Sequence, residues 1–163
     1  MSPPGIAPIH HHDGWVGLSE GEGQDAARAW WVRSTQQPDG SDGIEVLDAG
    51  WDHWVLCDVD QAGSQIIAVP HRRPGPLIVR SFPDLTPVRA IKSPDDDHSW
   101  DHTACFGGDM IVSRLYGTHD RIVAIDPAGA IHDLHLDGED LIPAAADSWL
   151  TVSRTAVRRY KFI

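Results

Sequence analysis

Residues 141–163 read LIPAAADSWLTVSRTAVRRYKFI, and their reading sets the reading of the whole chain. Leu141-Ile142-Pro143-Ala144-Ala145-Ala146 is a short apolar run, Asp147-Ser148 is a turn pair, and Trp149-Leu150-Thr151-Val152-Ser153 is β-branched and aromatic. Val157 to Phe162 repeats that character after a second short turn. Apolar runs of about five or six residues bounded by turn residues suit strands better than helices, so the stretch predicts three antiparallel strands.

Working back from it, the same grammar recurs. Runs predicted as strands are Trp15 to Ser19, Ala29 to Ser34, Ile44 to Leu47, Trp54 to Val59, Gln65 to Val69, Leu77 to Phe82, Pro87 to Ile91, Thr103 to Phe106, Met110 to Leu115, Arg121 to Ile125 and Ala130 to Leu136. Between them lie breakers such as Asp13-Gly14, the loop from Gln37 to Gly43, Gln61-Ala62-Gly63-Ser64, Gly107-Gly108-Asp109 and Asp126-Pro127-Ala128-Gly129. Pro70 to Pro76 reads as a basic, Pro-rich loop and Lys92 to Trp100 as a polar insertion. One helix candidate, Gln24 to Val32, is too short to outweigh the strand signal of Trp30-Trp31-Val32. The 15 Gly and 12 Pro of this 163-residue chain fit the same picture of many turns.

Four turns share a pattern in which a short apolar lead-in meets a turn and a large residue opens a strand. They are Asp13-Gly14-Trp15-Val16, Asp52-His53-Trp54-Val55, Gly108-Asp109-Met110-Ile111 and Asp147-Ser148-Trp149-Leu150. The intervals between the large residues are 39, 56 and 39 positions. A competing echo aligns Trp51-Asp52-His53 with Trp100-Asp101-His102. Self-similarity near 40 residues with about four short strands per unit is the sequence signature of propeller blades. On these turns and strands, most clearly from Gly108 to Phe162, the chain resembles the β-propeller repeat families. The resemblance is one of pattern. The Trp-Asp pairs do not close a strand after a Gly-His, as the WD40 family requires, and Kelch signatures are absent.

The resemblance implies an all-β fold, a small propeller-like repeat of about four short antiparallel sheets within one domain spanning residues 1–163. It also implies that the lead-in Ile6 to His12 completes the last blade, since ring closure removes exposed edges. A homodimer completing a larger, eight-bladed ring is the second way to close. A β-sandwich of about ten strands is the alternative fold.

Composition narrows the function classes. Lys plus Arg is 13 against 24 Asp plus Glu, a formal charge of −11, which argues against nucleic acid and anionic membranes as partners. No apolar run approaches the roughly 20 residues of a membrane helix, and residues 1–5 have no signal-peptide pattern, so a cytoplasmic protein is expected. Two Cys, 57 and 105, each inside an apolar run, read as buried thiols rather than a disulfide scaffold.

Two functional readings follow. The first is a non-catalytic binding module for a protein, peptide or small ligand, with Trp51, Trp100, Arg72, Arg73 and Tyr116 as loop-borne anchors. The second is a metal-dependent hydrolase or lyase. In the aligned repeat Asp13, Asp52, Asp109 and Asp147 occupy equivalent turns, with His12 and His53 beside two of them, so they are expected to ring one mouth of a channel. The run Asp95-Asp96-Asp97-His98-Ser99-Trp100-Asp101-His102 adds His98, Asp101 and His102 as candidate ligands of a divalent metal. The helical spacing of those two His lacks the Glu of a metalloprotease helix, and Asp is also an ordinary turn former. His10-His11-His12 reads as a terminal run; His132 and His135 fall on opposite faces of a strand. No nucleophile elbow, phosphate loop or dinucleotide fingerprint is present. The binding reading is preferred, because no catalytic constellation has a defensible spacing.

Overall fold

A computed structural model of the chain describes residues 6–12, 14–22, 26–48, 54–60, 62–71, 74–136, 140–145 and 148–161. Among the described residues it is all-β, with no helix. The described residues form fifteen strands in four small antiparallel sheets that follow one another along the chain. Sheet 1 holds β1 (Ile6–His12), β2 (Trp15–Glu22), β3 (Ala26–Gln36) and β4 (Asp42–Asp48). Sheet 2 holds β5 (Trp54–Val59), β6 (Gln65–Pro70), β7 (Leu77–Ser81) and β8 (Pro87–Ile91). Sheet 3 holds β9 (His98–Gly107), β10 (Met110–Gly117), β11 (Arg121–Ile125) and β12 (Ile131–Asp133). Sheet 4 holds β13 (Asp140–Ala145), β14 (Ser148–Val152) and β15 (Val157–Lys161). Each sheet is a plain meander, every strand pairing with its neighbour in sequence.

The sheets stack, and side-chain alternation tells how. On β5 and β6, Leu56, Ile66 and Ala68 turn toward sheet 1, where they bury Trp15 and Trp31. The residues next in line, Cys57, Ile67 and Val69, turn the other way and pack with Trp100, Ala104, Ile111, Leu115, Val123 and Ile125 of sheet 3. Cys105, Val112 and Ile122 leave the opposite face of sheet 3 and meet Leu141 and Trp149 of sheet 4. Sheets 2 and 3 are therefore covered on both faces. That is why β6 and β10 read as near-continuous apolar runs, whereas an antiparallel sheet with one wet face shows clean alternation. The first strands β1, β5, β9 and β13 lie along one side of the stack, each against the next. The arrangement is blade-like, and it is not closed into a barrel.

Two expectations are corrected. Residues Ile6 to His12 do not complete the last sheet: β1 pairs with β2, Ile6 opposite Glu20 and His12 opposite Trp15, because the tight turn at Gly14 returns the chain on itself. Among the described residues sheet 4 has three strands and none from the N-terminus. The repeat also runs in a different register. Gly14, Gly63 and Gly108, with φ of 78°, 64° and 62°, lie in the hairpins between first and second strands of sheets 1, 2 and 3. Trp54 opens a first strand, whereas Trp15, Met110 and Trp149 belong to second strands. Of the competing echo, Trp51-Asp52-His53 lies outside the described residues and Trp100-Asp101-His102 lies within β9.

Candidate functional site

The corrected register separates the acidic turns. In chain order Asp13, Asp109 and Asp147 fall between first and second strands, while Asp52 precedes a first strand and so does not share their place in the sequence of strands. Asp13, Asp52, His53, Asp147, Trp51, Arg72 and Arg73 lie outside the described residues, and His12 is described by its backbone alone, in β1. The Asp that does recur is elsewhere. Asp39, Asp84 and Asp126 each sit in the hairpin between third and fourth strands, accepting bonds from Ser41, from Ser81 and Thr86, and from Ala130 and His132. These bonds to the charged form hold all three carboxyls below the ordinary value.

Asp109 is exposed on the β9–β10 turn, at the rim of a cleft of about 400 Å³ between sheets 2 and 3 that Asp60, Arg89 and Phe106 also line. The cleft's polar groups are tied inward. The Asp60 carboxylate accepts from the Ser64 and Gln65 amides at 2.6 and 2.9 Å, and the Arg89 guanidinium donates across the junction to the carbonyls of Asp126 and Pro127.

The other predicted residues gather at the opposite end of sheets 2 and 3, where the connections 71–76, 92–97 and 118–120 meet. Trp100 is part of the core here. It is 0% exposed, packed between the sheets, and its Nε1–H donates to the Ile91 carbonyl at 2.9 Å, so it is no loop anchor. The expected polar insertion ends at residue 97, and β9 takes up the chain from His98. Arg114 of β10 clamps this end, with Nη1 3.3 Å from Asp101 Oδ2 and Nη2 on Asp120. His98 Nδ1 lies 2.6 Å from Asp95 Oδ1, and Arg121 reaches Asp95 Oδ2 at 3.3 Å. The His98 ring, aided by Arg121, keeps the Asp95 carboxyl below its ordinary value. His102 Nε2 is 3.2 Å from the His71 carbonyl oxygen, and the two imidazoles stack at 5.2 Å. Among the described residues no three His, Cys, Asp or Glu side chains are placed to hold a metal ion.

The same pairings build a groove of about 300 Å³ lined by Pro74, Asp96, Asp97, His98, Ser99, Tyr116 and Gly117. Gly117 makes it possible: a Cβ there would stand 2.6 Å from the Asp97 carbonyl oxygen and from His98 Cδ2, so only glycine lets the connection close down on the end of β10. Tyr116, half exposed at 50%, forms one wall, and the exposed Asp96 and Asp97 form another. Tyr116 was legible in the sequence as an aromatic next to a turn. Apart from Gly117, its neighbours in the groove were not, because Pro74, Asp96, Asp97, His98 and Ser99 lie 17 or more positions away.

No protein-family model matches the chain, and no curated protein matches it in sequence. No helix among the described residues is long and apolar enough to cross a membrane.

Proposed function

We propose that the chain is a propeller-type repeat acting as a non-catalytic binding module, and that its groove beside Tyr116 takes a protein or peptide segment presenting Lys or Arg. The ring-type reading is supported by four successive meanders whose first strands share one side of the stack. The observation that carries the binding reading is the half-exposed Tyr116 lining one groove with Asp96 and Asp97, where Gly117 admits the close approach of the Asp97 backbone. A ring face with carboxylates beside it attracts a cation through both its quadrupole and its neighbours' charge. The formal charge of −11 steers cationic segments toward the chain over longer distances.

The test is fluorescence anisotropy with labelled peptides that differ only in carrying Lys/Arg, neutral or Asp/Glu side chains around a fixed Pro-containing frame. The Lys/Arg set should bind, weakening as salt rises, and Tyr116→Ala and the Asp96→Asn/Asp97→Asn double variant should each lower affinity about tenfold, the ~1–1.5 kcal/mol of such a contact. Equal binding of all three sets, or affinity untouched by both variants, would overturn the assignment.

A further inference from the structure

The two outermost faces of the stack are apolar, and they are unlike each other in a way that matters. On sheet 1 the side turned away from sheet 2 carries the cross-strand row Val16–Val32–Val46, the pair Leu18–Trp30, and Ile44. Ile44 is 76% exposed and Val46 56%, on a strand that is also a sheet edge. On sheet 4 the side turned away from sheet 3 carries Ile142–Leu150, Val152–Val157 and Ala144, with Val157 65% exposed. Contiguous apolar faces with unpaired edges are the surfaces that soluble proteins cover.

Each internal junction joins the forward face of one sheet to the backward face of the next: sheet 1 to 2, 2 to 3 and 3 to 4. Among the described residues nothing packs over the outer face of sheet 4, a forward face, or that of sheet 1, a backward face. They are the two halves of one further junction of the kind the chain already makes three times. Charge agrees with the pairing. Asp42 flanks Ile44 and Val46 on the outward side of β4, and Arg159 and Lys161 flank Val157 on the outward side of β15.

We infer that these faces are covered by a second copy of this chain, sheet 4 of one protomer packing on sheet 1 of its partner and the reverse. The result is a two-fold ring of eight sheets. A head-to-tail contact that returns on itself after two copies satisfies every outer face at once and cannot grow into a fibre. Eight sheets is within the range that closed rings of this kind adopt.

Sedimentation equilibrium of the full chain tests this. A single species at twice the 17.9 kDa chain mass is expected. Val46→Glu and Val157→Glu, both at exposed positions, should each give a monomer with an unchanged β circular dichroism spectrum. Mixing the two variants should restore a dimer fraction, because a Val46→Glu copy keeps a sound sheet 4 and a Val157→Glu copy a sound sheet 1. A wild-type chain that stays at its own mass at every concentration would overturn the ring, as further sheets in cis would then be the cover. An open-ended series of masses, or a dimer indifferent to both variants, would overturn it equally.

Discussion

The Phe106 amide donates to Asp58 Oδ2 at 2.7 Å, joining the first strand of sheet 3 to the first strand of sheet 2 through a carboxylate only 6% exposed. The other oxygen, Oδ1, accepts from the Val59 amide at 2.8 Å, at the bulge that sets β5 out of register with β6 between Leu56 and Asp58. A bulge re-aims one side chain out of the pleat, and here it brings a polar group to a backbone donor at the junction of two sheets.

Asp58→Ala therefore leaves the part-buried Phe106 N–H without this acceptor, a loss of about 1–2 kcal/mol, whereas Asp58→Asn keeps one acceptor oxygen and loses less. Urea unfolding monitored by tryptophan fluorescence measures both. Equal midpoints for the alanine variant and the wild type would show that the junction does not depend on this bond.

Gly17 lies flat under the Trp31 ring. A Cβ at that position would be 2.8 and 2.9 Å from two ring carbons, and Trp31 also packs on Phe82 at 4.8 Å between centroids. The ring is fully buried and has nowhere to retreat. Gly17→Ala should destabilise by about 1–3 kcal/mol through overpacking, although alanine is ordinarily the better strand residue of the two. A neutral or stabilising effect would mean that sheets 1 and 2 are not packed through this ring.

Most strands were legible in the sequence, and their rank in the repeat was not. Apolar runs between Gly, Pro and Asp clusters locate β5, β6, β7, β10 and β11 within a residue or two, because burial on one or both faces demands that composition. Large residues mark burial but not position in a meander: Trp54 begins a first strand and Trp15 a second. The positive-φ glycines, selected by backbone geometry alone, were the better markers. The start of β9 was misread as loop because His98, Ser99, Asp101 and His102 are polar. Besides Asp95, three positions from His98, their partners are Arg114, Arg121 and His71, which lie at least 13 positions away in sequence and are brought in only by the folded sheets.

The two thiols should be inert in the folded protein. Cys57 and Cys105 are buried, and loss of water together with the nearby Asp58 pushes both well above the ordinary thiol value. Since the thiolate is the reactive form, a water-soluble disulfide reagent near pH 8 should react with neither in native protein and with both after denaturation. Rapid native-state reaction of either would place it at the surface.

Acid should weaken the protein through the hairpin carboxylates. Asp84 is held below its usual value by the Ser81 hydroxyl at 2.5 Å and by Thr86. A carboxyl depressed in the folded state contributes stability that is complete above the unfolded value of about 3.9 and vanishes as pH falls through the folded value. Ser81→Ala removes the larger cause. Its urea midpoint should be lowered near neutral pH, and the gap to wild type should narrow as pH falls below about 4. Because both proteins carry the same net charge, relief of acidic self-repulsion cancels in the comparison. A gap that stays constant or widens on acidification would contradict the linkage.

The stack of four sheets is tested most directly by methyl–aromatic nuclear Overhauser effects at neighbouring residues of β6. Ile66 and Ile67 are adjacent in sequence and both fully buried, yet they lie in different layers. Ile66 methyls should show contacts to the Trp15 and Trp31 rings and none to Trp100. Ile67 methyls should show the converse, reaching Trp100 and the methyls of Ile111. Contacts from both isoleucines to one shared set of rings, as the single core of a two-sheet sandwich would produce, would contradict the account.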